Sequence, residues 1–153
     1  MMEHKYAEIF IDACSMVLDS FSSRRIASAN VTSPNCPDSR EIFVSMGLAG
    51  DIDGQVTMSM DAETGKSLAG EMLGGMEITD VDELVTSAVG ELCNMIMGNA
   101  CSELARRNLA VDITAPCLVD GEWIFFGSAA NIWSIPIVCP DYGTLHLDLA
   151  FHS

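Results

Sequence analysis

One short stretch of this chain carries side chains whose types and spacing could do chemistry together. Ser87, Glu91 and Asn94 stand four and three residues apart, and Gly98 follows one turn later. On an α-helix of 3.6 residues per turn these positions fall within about 60° of one another. A hydroxyl, a carboxylate and a carboxamide then form one stripe, flanked by Gly90 and Cys101. A carboxamide accepts a hydrogen bond from water through its oxygen and donates through its nitrogen; a carboxylate pairs with a cation. Glycine inside a helix costs about 1 kcal/mol relative to alanine, so two glycines beside one stripe call for the close approach of another backbone, from this chain or a partner. The spacing alone is also that of an ordinary solvated helix face. No other constellation competes. There is no Ser/His/Asp arrangement and no pair of acids at hydrolase spacing, and Gly74-Gly75 precedes Met76 rather than the Lys-Ser of a phosphate loop.

The helix that must carry the stripe is the strongest element in the sequence. Thr79 is suited to N-cap it, with Asp82 three positions on reaching back in capping-box fashion. Asp80, Asp82 and Glu83 crowd its positive end, Arg106 and Arg107 its negative end, and Asn108 terminates it. The expected span is residues 80–107, about 40 Å at 1.5 Å per residue. Val81, Leu84, Val85, Ala88, Leu92, Met95 and Ile96 form a continuous apolar arc, the expected core side.

The remaining elements follow from periodicity. Tyr6, Ile9, Phe10, Ala13, Val17 and Phe21 mark an N-terminal amphipathic helix. Residues 22–40 are rich in Ser, Asn and Pro and read as a loop with a short extended piece. Residues 41–48 and 55–60 are strand-like, joined through a Gly50 to Gly54 hairpin turn. Residues 61–74 form a short helix capped by Asp61 and stopped at Gly74-Gly75. Beyond the long helix come strands over residues 111–119, 123–126, 132–138 and 144–151, with an Asp120-Gly121 hairpin turn and another turn over residues 140–143. Pro136 inside a strand indicates an edge or a bulge. Helix followed by hairpin occurs twice. The expected fold class is α+β: a largely antiparallel sheet of about six strands with long helices packed on it, residues 1–153 forming one domain.

Composition bounds the partners. Hydrophobic residues make up 49% of 153, enough for a sizeable core. Seven Lys+Arg against 22 Asp+Glu give a formal charge of −15, which repels nucleic acid and anionic membranes. A protein partner with a basic rim fits such a surface better. No apolar run reaches the roughly 18–20 residues that span a bilayer, so membrane insertion is not expected. The N-terminus has acids where a signal peptide would be apolar. Cys14, Cys36, Cys93, Cys101, Cys117 and Cys139 form no CxxC, and most sit in apolar segments; buried free thiols in a reducing cytoplasm are expected. His4, His146 and His152 have no metal-ligand spacing with each other or the cysteines.

Residues 82–116, DELVTSAVGELCNMIMGNACSELARRNLAVDITAP, resemble the signature helix of the CheC/CheX/FliY phosphatases of bacterial chemotaxis. In that family a small polar or acidic residue precedes a Glu by four, an Asn follows by three, and a proline stands downstream at the start of the next strand. Ser87, Glu91, Asn94 and Pro116 occupy those positions here. CheC-type members carry the motif twice. In the N-terminal helix of this chain Glu8 is followed three residues later by Ile11, and Glu3 by Tyr6, so the pattern is the single-site one of CheX. The resemblance implies a homodimer joined sheet edge to sheet edge, and removal of the phosphoryl group from the phospho-aspartate of a CheY-like receiver domain. It implies that Asn94 positions water and that Glu91 pairs with a receiver lysine, as catalytic residues, while Ser87 and Gly98 meet the partner. It implies no cofactor of the chain's own, with Mg²⁺ in the receiver. Two other readings stand beside it: a non-catalytic adaptor of the same fold that docks a receiver or a flagellar-switch component, and a small-molecule hydrolase with Glu91 as base, which lacks a partner His, metal or oxyanion motif.

Overall fold

Apolar residues recurring every three or four positions build α1, Met2–Asp19, whose Ile9, Phe10, Ala13, Cys14 and Val17 are buried. A computed structural model describes residues 2–20, 28–29, 41–120, 131–140 and 142–151 of the chain. After α1 come β1 (Ser28–Ala29), β2 (Ile42–Gly50), β3 (Gly54–Met60), α2 (Ala62–Met72), α3 (Glu83–Arg106), β4 (Val111–Ile113), β5 (Cys117–Asp120), β6 (Asn131–Cys139) and β7 (Gly143–Phe151). Every strand pairing among them is antiparallel.

The strands form one seven-stranded sheet in the order β1-β6-β7-β3-β2-β4, with β5 also on β2. The β2–β3 hairpin and the β6–β7 hairpin meet along β3 and β7, in register from Gly54 opposite Phe151 to Ser59 opposite His146. Each hairpin follows a long helix in the chain, so the helix–hairpin unit does occur twice. The strand period of two sends Val44, Met46, Val56, Met58, Leu147 and Leu149 to the helix side. There they share one cluster with α1, α2 and α3. Phe151 closes it against Tyr6 and Phe10, with ring centroids 6.3 and 6.4 Å away. The opposite sheet face carries a polar row, Ser45, Thr57, Asp148 and Ser134, aligned across four strands. Within it Ser134 donates to Asp148 at 2.6 Å.

Three expectations need correction. Among the described residues the sheet has seven strands rather than about six, even with the strand expected at residues 123–126 set aside as outside them, for two reasons. Residues 111–119 are not one strand: Pro116 has no N–H to give a ladder, and the break at residues 114–116 separates β4 from β5. The two-residue β1 is the extended piece in the serine-rich loop. The long helix starts at Glu83 rather than residue 80, and its cap is Asp82, not Thr79. The Asp82 carboxylate accepts from the Leu84 and Val85 amides at 3.0 and 3.3 Å. The helix phase also differs. Val85, Val89, Leu92, Cys93, Ile96, Met97, Ala100 and Leu104 face the core, while Val81 and Leu84 are 42% and 45% exposed.

Other signals held. Asp61 caps α2 by accepting from the Thr64 amide at 2.8 Å. Asn108 ends α3 in the left-handed region, φ 64°, where its short polar side chain is tolerated. Pro136 lies in β6, which pairs along its length with β7 and on its other side, among the described residues, only with the short β1. Phe21, the segments 22–27 and 30–40, the Asp120-Gly121 turn and the strand expected at residues 123–126 lie wholly or partly outside the described residues. Cys14, Cys93, Cys101 and Cys139 are free thiols; Cys101 is half-buried and Cys117 exposed, so the buried expectation fits only Cys14, Cys93 and Cys139. Cys36 lies outside the described residues. Among the described residues no helix is long and apolar enough to cross a membrane.

Candidate functional site

Burial of Leu92, Ile96 and their neighbours fixes α3 against the sheet, and this fixes what its outer face presents. Full burial of each such side chain contributes about 1.5–3 kcal/mol. With that face inward, Ser87 and Glu91 are exposed and Asn94 and Gly98 are half-exposed, all on one solvent-facing stripe. Glu91 and Asn94 are separated by about 4.5 Å of helix rise. Neither side chain makes a hydrogen bond or ion pair among the described residues.

The contrast with Asn99, one turn on, is instructive. Its amide nitrogen donates to the Met95 carbonyl at 3.0 Å, the back-bond a short polar side chain often makes in a helix. Ser102 does the same to Gly98 at 3.0 Å. Among the described residues both ends of the Asn94 carboxamide, one acceptor and one donor group, are left without a partner.

The turn at residues 114–116 flanks the stripe on one side. Thr114 is clipped to β2: its hydroxyl accepts from the Gly47 amide at 2.8 Å and its own amide donates to the Gly47 carbonyl at 3.1 Å. This sets Pro116 beside Gly90, where an added Cβ would stand 3.9 Å from the proline Cβ. An added Cβ at Gly98 would meet nothing within 4 Å. Among the described residues the close approach that two helix glycines call for is therefore only loosely met at Gly90, and not met at Gly98. On the other side a groove of about 440 Å³ separates the stripe's end from α1, lined by Asp12, Met16, Asn99 and Ser102 among others.

The electrostatics are one-sided. From Glu83 to Ala105 α3 carries no lysine or arginine. The described basic side chains are engaged elsewhere: Lys66 with Glu63 at 2.7 Å, and Arg106 and Arg107 with Glu103 at 3.1 and 3.5 Å. Among the described residues no cation is paired with Glu91. Cys101, beside the stripe, is held in its neutral thiol form; burial and then the Asp112 carboxylate push its pKa up. Among the described residues no group of three or more His, Cys, Asp and Glu comes together as a metal site.

One site-flanking residue escaped the sequence reading. Leu84 sits one turn before Ser87 on the same stripe, at a position assigned to the core. The usable signal was the acidic cluster Asp82-Glu83, which marks the first turn and so the exposed start of the helix.

Residues 42–137 match the chemotaxis phosphatase CheX family, and the chain belongs to that family. It is similar to the CheY-P phosphatase CheX of Thermotoga maritima, 38% identical over 92 residues that cover 60% of this chain and 59% of the relative. The match thus spans about three-fifths of that curated protein's length. Among solved structures it resembles the CheX-CheY-BeF3-Mg²⁺ complex from Borrelia burgdorferi, 27% identical with a TM-score of 0.78, covering 97% of this chain and 98% of that one. The chemotaxis protein CheX of Vibrio vulnificus shares the fold at 22% identity and a TM-score of 0.84, covering 97% and 99% of the two chains.

Proposed function

We propose that this chain is an aspartyl-phosphate phosphatase that removes the phosphoryl group from a CheY-like receiver domain. The observation that carries the reading is the Glu91–Asn94 pair on the outer face of a helix, with no partner and no cation beside it among the described residues. An acyl phosphate is already labile, so no strong nucleophile is required of the enzyme; a held water and stabilised equatorial charge suffice. The Asn94 oxygen accepts a hydrogen bond from the water and orients it in line with the scissile bond, while its NH₂ donates to a phosphoryl oxygen. Water oxygen bonds to phosphorus as the bond from phosphorus to the aspartyl oxygen breaks. The electron pair returns to the aspartate carboxylate, and the water's proton leaves with inorganic phosphate or to solvent. Glu91 pairs with a receiver lysine and fixes the register of the two proteins; Ser87 and Gly98 line the contact. Mg²⁺, on this reading, belongs to the receiver.

The same reading treats residues 1–153 as one phosphatase domain working in the cytoplasm, in keeping with the shared core cluster and the free thiols. It also expects a homodimer joined through sheet edges; β4 ends the sheet among the described residues. Light scattering on the purified chain gives the mass that decides this. The central test incubates the chain with a panel of phosphorylated receivers. Phosphate release with at least one of them is expected. Binding without release would make the chain an adaptor, and release from small esters without any receiver would make it a small-molecule hydrolase.

A further inference from the structure

Leu84 and Val81 are large apolar side chains, 45% and 42% exposed, at the start of the helix that carries Glu91 and Asn94. Single exposed leucines are common and need no explanation. Leu84 differs in three respects. First, it continues the stripe: positions 84, 87, 91, 94 and 98 advance by three, four, three and four residues, so it lies in line with Ser87 and Glu91. Second, its backbone is fixed in place. The Asp82 carboxylate accepts from its backbone amide at 3.0 Å, and the fully buried Val85 next to it fixes the rotation of the first turn. Third, it borders a shallow depression of about 520 Å³ lined by Asp82, Glu83, Leu84 and Ser87, an apolar side chain in an acidic collar.

We infer that Leu84, with Val81 beside it, is the apolar anchor on which the receiver domain seats, and that it sets affinity and partner choice rather than the chemical step. The inference rests on the proposed phosphatase reading. The receiver is the occupant argued for because the patch is continuous with the Glu91–Asn94 stripe and because of charge. Asp82 and Glu83 line its depression, Asp80 precedes Val81 in the chain, Glu91 lies two turns on, and α3 offers no cation before Arg106. A matching partner surface is basic around an apolar knob. Seven residues separate Leu84 from Glu91, about 10 Å along the axis. A cognate receiver therefore carries an exposed apolar side chain about that far from the lysine that Glu91 binds. Buried apolar anchors with a polar rim carry most of the energy in such interfaces.

The test uses the full chain and CheY-like receivers loaded with beryllofluoride and Mg²⁺ for binding, and phosphorylated for turnover. Leu84→Ala is expected to raise both Kd and KM about tenfold, with kcat at saturating receiver within twofold of the parent and the melting temperature unchanged. Leu84→Asp is expected to weaken binding further. Met76→Ala, which removes an exposed methionine away from α3, is expected to leave Kd unchanged. Wild-type affinity in Leu84→Ala, an equal loss in Met76→Ala, or a fall in kcat with KM unchanged overturns the anchor while leaving the phosphatase reading standing. So does a shift of Leu84→Ala from dimer to monomer, which would assign the patch to a second copy. A parent chain that neither binds nor dephosphorylates any receiver overturns both.

Discussion

α1 and α3 do the same structural work and differ in what they show to solvent. Both lie in the same core cluster, both precede a hairpin, and they meet through buried faces that include Cys14 and Cys93. On α3 the outer face carries Glu91 and, three residues on, Asn94 with its carboxamide free. On α1 Glu8 is exposed, but the position three residues on is Ile11, which packs partly against the core. The packing face and the outer face of a helix are thus separable. One repeat unit keeps the first and lacks the second, and the fold stands without a second motif.

The largest effect tests the shared half of this comparison. Phe10→Ala in α1 and Leu92→Ala in α3 each remove a fully buried side chain, and each is expected to cost about 3–5 kcal/mol of unfolding free energy in denaturant titration. A several-fold smaller loss at Phe10 would mean that α1 is an accessory rather than an equal partner in the core. The next effect tests the half that differs. Asn94→Ala is expected to lower kcat on a phosphorylated receiver by about 100-fold, about 2.7 kcal/mol, while receiver affinity and melting temperature stay near the parent values. Wild-type turnover would remove Asn94 from the chemistry and leave the two outer faces functionally alike.

Glu91→Ala is expected to act on both quantities, since on the proposed function a receiver lysine is left unpaired. Binding weakens by about tenfold, about 1.4 kcal/mol, and the rate falls as well. Calorimetry with a beryllofluoride-loaded receiver checks this, and normal affinity would exclude the ion pair. The facing thiols give a pH effect common to both helices. Burial raises the Cys14 pKa well above 9.0, with Cys93 and Cys139 adding to it, and burial pushes Cys93 up to about 12. Below pH 9 the thiols are protonated in both the folded and unfolded chain, and their contribution is intact. Above it the unfolded chain releases protons that the folded one keeps. Stability is therefore expected to fall between about pH 9 and pH 12, by at most about 1.4 kcal/mol per pH unit per thiol. Urea midpoints that do not move over this range would mean the two helices do not bury their thiols together. The smallest effect is at Gly98, where a methyl group meets nothing within 4 Å. Gly98→Ala is expected to stabilise the chain by up to about 1 kcal/mol in thermal melts while weakening receiver binding. Unchanged binding would favour a merely solvated stripe.

Much of this arrangement was legible in the sequence because it depends on local rules. The α1 face, the Gly50–Gly54 turn, the Asp61 cap and the Asn108 stop each need only a few neighbouring residues. The exposed position of Glu91 and Asn94 followed from period alone. Where reading failed, two local rules competed or a distant contact decided. Thr79 and Asp82 are both good caps, three residues apart, and burial of Val85 selects the second. That choice trims the helix and leaves Val81 and Leu84 in solvent despite their apolar side chains. The strand expected over residues 111–119 runs through Pro116; the break there is set by the Thr114 contact to Gly47, 67 residues away. The β3–β7 pairing that joins the two hairpins is equally long-range and has no signature in either strand.

Mounting Glu91 and Asn94 on one helix has a temporal consequence. Their spacing is set by peptide geometry, held by the backbone ladder of α3, and does not wait for a loop to close or two domains to swing together. On the proposed function the machinery is complete before the partner arrives. How long a phosphorylated signal lasts would then be governed by encounter, residence and departure of the receiver, so turnover would respond to solvent viscosity and to the abundance of the chain more than to any internal gate.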